Sequence, residues 1–179
     1  MYIKEVARTV MKTRQFTRDD VDTYEMQHAI MEAQLAAERT ALASAMERPK
    51  ADSARLILSD RSAIDPCVYA ATSRVPGAET RSQRLLQNAG FREMVPFYRR
   101  SLFVVLESVP EWIEDDGVRS LEEPQRYSEG LQRILSELGI AYIALGESVK
   151  DLDERVSFVT GKLARMGRAS PGSPVAYVA

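Results

Sequence analysis

Three short apolar runs stand out: "RLILSD" (residues 55–60), "SLFVVLE" (101–107) and "AYIALG" (141–146). Their apolar residues are consecutive rather than alternate, the pattern of strands covered on both faces, so they predict a parallel sheet. Helical spacing fills the intervals. Residues 2–16 read as a short extended start followed by a helical pattern. Thr17 with Asp20 forms a capping box that opens a longer helix, whose buried face runs Val21, Tyr24, His28, Met31, Leu35, Leu42 and Met46 until Pro49 stops it. Residues 72–82 read as a loop before another helix. Leu131, Ile134, Leu135 and Leu138 form a stripe closed by Gly139. Ser148 and Asp151 cap a last helix with Val149, Leu152, Val156, Val159 and Leu163 along its face. Strands alternating with helices predict an α/β fold with right-handed crossovers. From Gly167 onward the chain is rich in Gly, Ser and Pro, so the expectation is one domain over 1–166 and a disordered tail over 167–179.

Composition narrows the functional classes. The 179 residues are 45% apolar and 28% charged, with a net charge of -2. That balance suits one globular domain and argues against nucleic acid or an anionic membrane as partner. Basic residues such as Arg14, Arg39, Arg74 and Arg99 are scattered without interleaved aromatics. Cys67 is the only cysteine and His28 the only histidine, which excludes an internal disulfide and a cysteine-rich zinc site. No apolar run reaches the roughly 18 residues of a membrane span, and "MYIKEVARTV" is too polar for a signal peptide. An intracellular, cytoplasmic setting is expected.

In a parallel sheet, ligands bind at the carboxyl ends of the strands. Asp60 and Glu107 stand at such ends. Asp60 is placed to hold Mg²⁺ through water, and Arg61 beside it to reach phosphate oxygens or a substrate hydroxyl. Equally, Asp60 could serve a turn, and Asp65-Pro66 has the form of a helix start. Glu5 could take a proton from a substrate hydroxyl or cap the following helix, with Arg8 one helical turn later. Gln34 and Glu38 share a helix face, lining a pocket or facing solvent. "WIEDDGVRS" (112–120) is either a lid carrying Arg119 or a solvated turn, with Trp112 a packing residue. Cys67 and His28 read as packed residues.

"EVAR" (5–8), Gln34 with Glu38, "DRSAIDPCVYA" (60–70), "WIEDDGVRS" and "ERVSFV" (154–159) come in a family's order. Over residues 3–160 the chain resembles the AAA-type P-loop domain of NadR nicotinamide-riboside kinases and TRP-channel translocation-defect proteins. The resemblance implies a three-layer, kinase-like P-loop α/β fold with a parallel sheet that binds ATP or GTP with Mg²⁺. It implies Glu5, Asp60, Arg61 and Arg119 as catalytic and Asp60 as the metal residue. Arg119 and Arg155 would contact nucleotide. Glu5, Arg8, Gln34, Glu38 and Asp65 would bind the phosphate acceptor. A protein partner is the alternative use of the fold. One family feature is absent: the 179 residues contain no G-x-x-x-x-G-K-[ST] phosphate loop, and only Gly161 precedes a lysine. The expectation is an N-terminally truncated domain, short of a first strand and its loop by about 25–35 residues and inactive in isolation.

Overall fold

A computed structural model describes residues 1–47, 56–112, 124–169 and 176–178. The elements run β1 (Tyr2–Ile3), α1 (Ala7–Arg14), α2 (Tyr24–Glu47), β2 (Leu56–Ser59), α3 (Asp65–Thr72), α4 (Ala78–Leu86), α5 (Ala89–Tyr98), β3 (Phe103–Leu106), α6 (Pro124–Glu137), β4 (Tyr142–Leu145), α7 (Leu152–Ala169) and β5 (Ala176–Val178). The three expected strands form, and every pairing is parallel. They fall into two sheets, β1-β2-β5 and β3-β4.

Local chemistry explains most boundaries. Asp151 Oδ1 accepts from Glu154 N (2.9 Å) and caps α7. Gly139 adopts a left-handed φ of 66° just past α6, a conformation that disfavours a Cβ. Thr17 and Asp20 do form a reciprocal cap, with Thr17 N donating to Asp20 Oδ2 (2.7 Å). That cap opens only a single 3₁₀ turn, Arg18–Asp20, and α2 starts afresh at Tyr24. The Thr23 hydroxyl accepts from Met26 N (3.3 Å) and provides the second start.

Helices α2 to α6 and the inward residues of β3 share one core, around Leu35, Ile64, Val68, Leu85, Phe91, Tyr98, Phe103 and Leu135, while Ile3 of β1 and Ile57 of β2 pack on Ala41 and Ala45 in a second cluster. Gly130 lets α6 lie close on α3: a Cβ there would stand 2.5 Å from Thr72 Cγ2. Cys67 is buried in this core, as expected. Burial, helped by the negative charge of Asp65, pushes its thiol well above the ordinary range, so it is inert.

Four expectations are corrected. Met46 is 63% exposed, because the inward face of α2 runs through Ala41 and Ala45 instead. The apolar face expected on α7 is largely uncovered, with Leu152 and Val156 68% and 60% exposed. The tail is not wholly disordered: α7 continues to Ala169, and β5 pairs with β2. The solvated alternative for Gln34 and Glu38 fails, since both are buried. Among the described residues no helix is long and apolar enough to cross a membrane.

Candidate functional site

β1 and β2 run parallel and end side by side. Asp60 N donates to Ile3 O (3.0 Å), extending the ladder one step and holding the two carboxyl ends together. A cleft opens there. Met11 of α1, Met26 and Ile30 of α2, and Pro66 and Tyr69 of α3 give it apolar walls, while Glu5, Gln34, Arg61, Ser62 and Asp65 supply its polar groups.

The polar groups are held by a dense network. Asp65, the first residue of α3, accepts from Ser62 N (2.9 Å) through Oδ2, and from Arg61 Nη1 (3.1 Å) and the Tyr127 hydroxyl (2.6 Å) through Oδ1. It therefore closes the turn that leads into α3, pairs with the arginine and ties α6 to the cleft. Burial opposes the Arg61 charge, but attraction from Asp65 and the neighbouring Tyr127 and Tyr69 outweighs it and holds the guanidinium above its ordinary value. Burial, then Asp65, raises the Tyr127 phenol well above its usual range. Arg61 is thus a permanent cation and Tyr127 a permanent hydroxyl donor.

A second network lies behind the first. Gln34 Nε2 donates to Glu38 Oε1 (3.0 Å), Ser59 Oγ (3.2 Å) and Arg61 O (2.8 Å). The Ser59 hydroxyl itself donates to Arg61 O (2.5 Å). Glu38 Oε2 accepts from the Tyr98 hydroxyl, a short bond across 60 positions of sequence. One glutamine thus joins α2, the end of β2 and, through Glu38, α5.

The expected residues separate into groups. Glu5, Gln34, Arg61 and Asp65 line the cleft together. Arg8 reaches Glu5 (Nε to Oε2, 3.0 Å), and Glu38 stands behind Gln34. Asp60 is exposed beside the cleft at the end of β2. Arg155 is elsewhere: its guanidinium donates to Val149 O (2.6 Å) and Gly146 O (3.4 Å) and lies 4.7 Å over the Trp112 ring. Arg119 lies outside the described residues, as do all of residues 113–120. Tyr69, Tyr98 and Tyr127 are the contributors that sequence reading missed. Tyr69 had one signal, its spacing four residues after Asp65; Tyr98 and Tyr127 had none, because their partners are distant in sequence.

An AAA domain family profile matches residues 1–155. The chain belongs to this family. It is a P-loop-type group, and nucleotide binding is its common theme. No curated protein and no solved structure matches the chain.

Mg²⁺ and a nucleotide triphosphate are the groups that membership in the AAA domain family implies, and this chain suits them unequally. Among the described residues no cluster of three or more His, Cys, Asp or Glu could hold a metal. Mg²⁺ needs no such cage; one carboxylate with phosphate oxygens and water suffices, and exposed Asp60 provides that carboxylate. The triphosphate fits less well. A phosphate cradle needs free backbone N–H groups at a loop-to-helix turn. The only Gly-Lys pair, Gly161-Lys162, lies inside α7, where the N–H groups belong to the helix ladder.

Proposed function

We propose that this AAA domain carries the acceptor-binding and metal-holding side of nucleotide-dependent phosphoryl transfer, in a three-layer, kinase-like P-loop fold. The observation that carries this reading is the cleft at the carboxyl ends of β1 and β2, where a carboxylate, a paired arginine and a buried amide meet between apolar walls. Such a cleft orients a small molecule and excludes water around it. Glu5 is the base: it accepts the proton of an acceptor hydroxyl lodged against the apolar wall. Arg61, fixed by Asp65 and Tyr127, orients that acceptor. Asp60 is the residue that would hold Mg²⁺, which when bound would supply charge neutralisation at phosphate oxygens. These 179 residues contain no phosphate loop, so on their own they bind triphosphate weakly and turn it over slowly or not at all.

Calorimetric titration of the 179-residue chain with MgATP and MgGTP tests the reading. Weak, Mg²⁺-dependent binding that Asp60→Asn abolishes is expected. Micromolar affinity, or binding indifferent to Asp60, overturns it. One observation favours a second use as a protein-binding module: Leu152 and Val156 present apolar side chains on the open side of α7.

A further inference from the structure

We infer that residues 4–16 are a hinged lid over the cleft, which opens by loosening α1 while the elements on either side stay fixed, and which aims Glu5 when it closes. The inference rests on the reading of the cleft as a ligand pocket and adds how a ligand is admitted.

The walls of the cleft differ in strength. Met26 and Ile30 of α2 and Pro66 and Tyr69 of α3 belong to helices that also place Met31, Leu35, Cys67 and Val68 in the main core. The remaining wall includes Val6, Ala7 and Met11. Of the eight residues of α1 only Val10 and Met11 are buried, and neither belongs to the main core or to the cluster around Ile3 and Ile57. A helix this short is held by tertiary packing, and α1 brings two buried side chains to it. Its own sequence adds little. Val6 precedes it without a side-chain cap, and no acid stands in its first turn. Thr9, Val10 and Thr13 are β-branched, and Thr13 Oγ1 donates to Thr9 O (2.8 Å), a bond that weakens helices slightly. Past its end Gln15 takes a left-handed φ of 59°, which no other non-glycine adopts among the described residues. Lids are drawn from the least stable parts of a fold.

Both flanks are fixed. Asp60 N donates to Ile3 O (3.0 Å), tying β1 to β2 just before the lid begins. Beyond it, Thr17 N donates to Asp20 Oδ2 (2.7 Å), and Gln27 Nε2 of α2 holds Val21 O (2.6 Å). Firm ends around a soft middle are the build of a lid rather than of a fraying terminus. The movement bears on the chemistry proposed above, because Arg8 and Glu5 are paired (3.0 Å) and both belong to the segment. Loosening α1 takes Arg8 from Glu5. Closing it restores the pair and returns Glu5 and Met11 to the lining.

Hydrogen exchange of the 179-residue chain, read residue by residue by NMR with no ligand present, tests this. Amides of residues 10–14 are expected to be protected at least about a hundredfold less than those of Leu35 and Val68. Leu58 and Asp60, whose amides donate to Met1 O and Ile3 O (2.8 and 3.0 Å), should remain better protected than residues 10–14, because β1 holds. Gln15→Gly relieves the left-handed residue and should raise the protection of residues 10–14 about threefold. Met11→Ala trims the seat of α1 and should lower it about tenfold. Neither should alter Val68. Protection of residues 10–14 equal to that of Val68 overturns the inference. So does fast exchange at Leu58 and Asp60, which would mean fraying from the terminus, and so do variants that shift α1 and α3 together. If Met11→Ala fails to fold, the unaltered chain and Gln15→Gly decide. No nucleotide enters the assay. A failed nucleotide titration therefore leaves the lid standing, and a rigid α1 removes the lid while leaving the groups of the cleft in place.

Discussion

The two longest helices invert each other. α2 buries Gln27, Gln34 and Glu38 along with its apolar residues, whereas α7 leaves Leu152 and Val156 in solvent. Exposed apolar residues are common on folded proteins; buried polar ones are the exception that needs a reason. On α2 the reason is visible. Gln27 Nε2 donates to Val21 O (2.6 Å), and Gln34 and Glu38 bind the end of β2 and Tyr98. The polar content of α2 is spent on joining elements and shaping the cleft. On α7, Leu152 and Val156 are left largely exposed. The difference teaches that polarity along a helix reports its neighbours as much as its solvent face.

The contrast predicts a steep gradient of mutational cost. Glu38→Ala should be the most damaging change. It removes from the interior the carboxylate that accepts from the Tyr98 hydroxyl and from Gln34 Nε2, at about 4 kcal/mol, read by urea denaturation. If it costs less than about 1 kcal/mol, the network is not holding α2 to α5. Leu35→Ala, in the fully buried stretch of the same helix, should cost about 3 kcal/mol through the cavity it leaves. Leu152→Ala on α7 is the matched deletion and should cost less than about 0.5 kcal/mol. Equal losses in the two leucine variants would mean that α7 is covered in solution.

Smaller effects concern protonation. Cys67 and Tyr127 both have folded values raised above their unfolded ones. Their contribution is complete below the unfolded values, about 8.5 for a thiol and about 10 for a phenol. It is lost as pH climbs toward the folded values, because the unfolded chain releases its protons first. Stability should therefore fall progressively above about pH 9. Tyr127→Phe removes one of the two groups. It should cost about 1 kcal/mol at neutral pH and flatten the alkaline limb, measured as melting temperature against pH. A limb unchanged in Tyr127→Phe would remove the hydroxyl–Asp65 bond from the account.

Much of the frame was legible because it rests on local signals. Strands β2, β3 and β4 follow from consecutive apolar residues, α6 ends at Gly139, and Asp151 caps α7, each within a few positions of its cause. Part of the site was legible for the same reason, since Asp60, Arg61 and Asp65 follow a strand end. The burial of Gln34 and Glu38 was not. Spaced four apart, they fit a solvated helix face, and the partners that make their burial tolerable lie far along the chain: Ser59 and Arg61 are 25 and 27 positions beyond Gln34, and Tyr98 is 60 beyond Glu38. Tyr127 meets Asp65 across 62 positions, brought there by α6 lying against α3 at Gly130. Spacing rules reach one or two helical turns and cannot register such contacts. The division into two sheets escaped for a related reason, because apolar runs announce strands and not their order.

Both flanks of β2 are occupied by residues from opposite ends of the chain. Leu58 N donates to Met1 O (2.8 Å) and Tyr2 is in register with Leu58, while Leu56, Ile57 and Leu58 are in register with Ala176, Tyr177 and Val178. The strand that delivers Asp60 and Arg61 is thus clasped by the first and last segments of the sequence. Handling these segments is equivalent to handling the site. Displacing residues 176–178 would release one of the two neighbours of the strand that feeds the cleft. Amide deuterium uptake along 56–59, compared between the unaltered chain and Tyr177→Pro, measures that sensitivity directly.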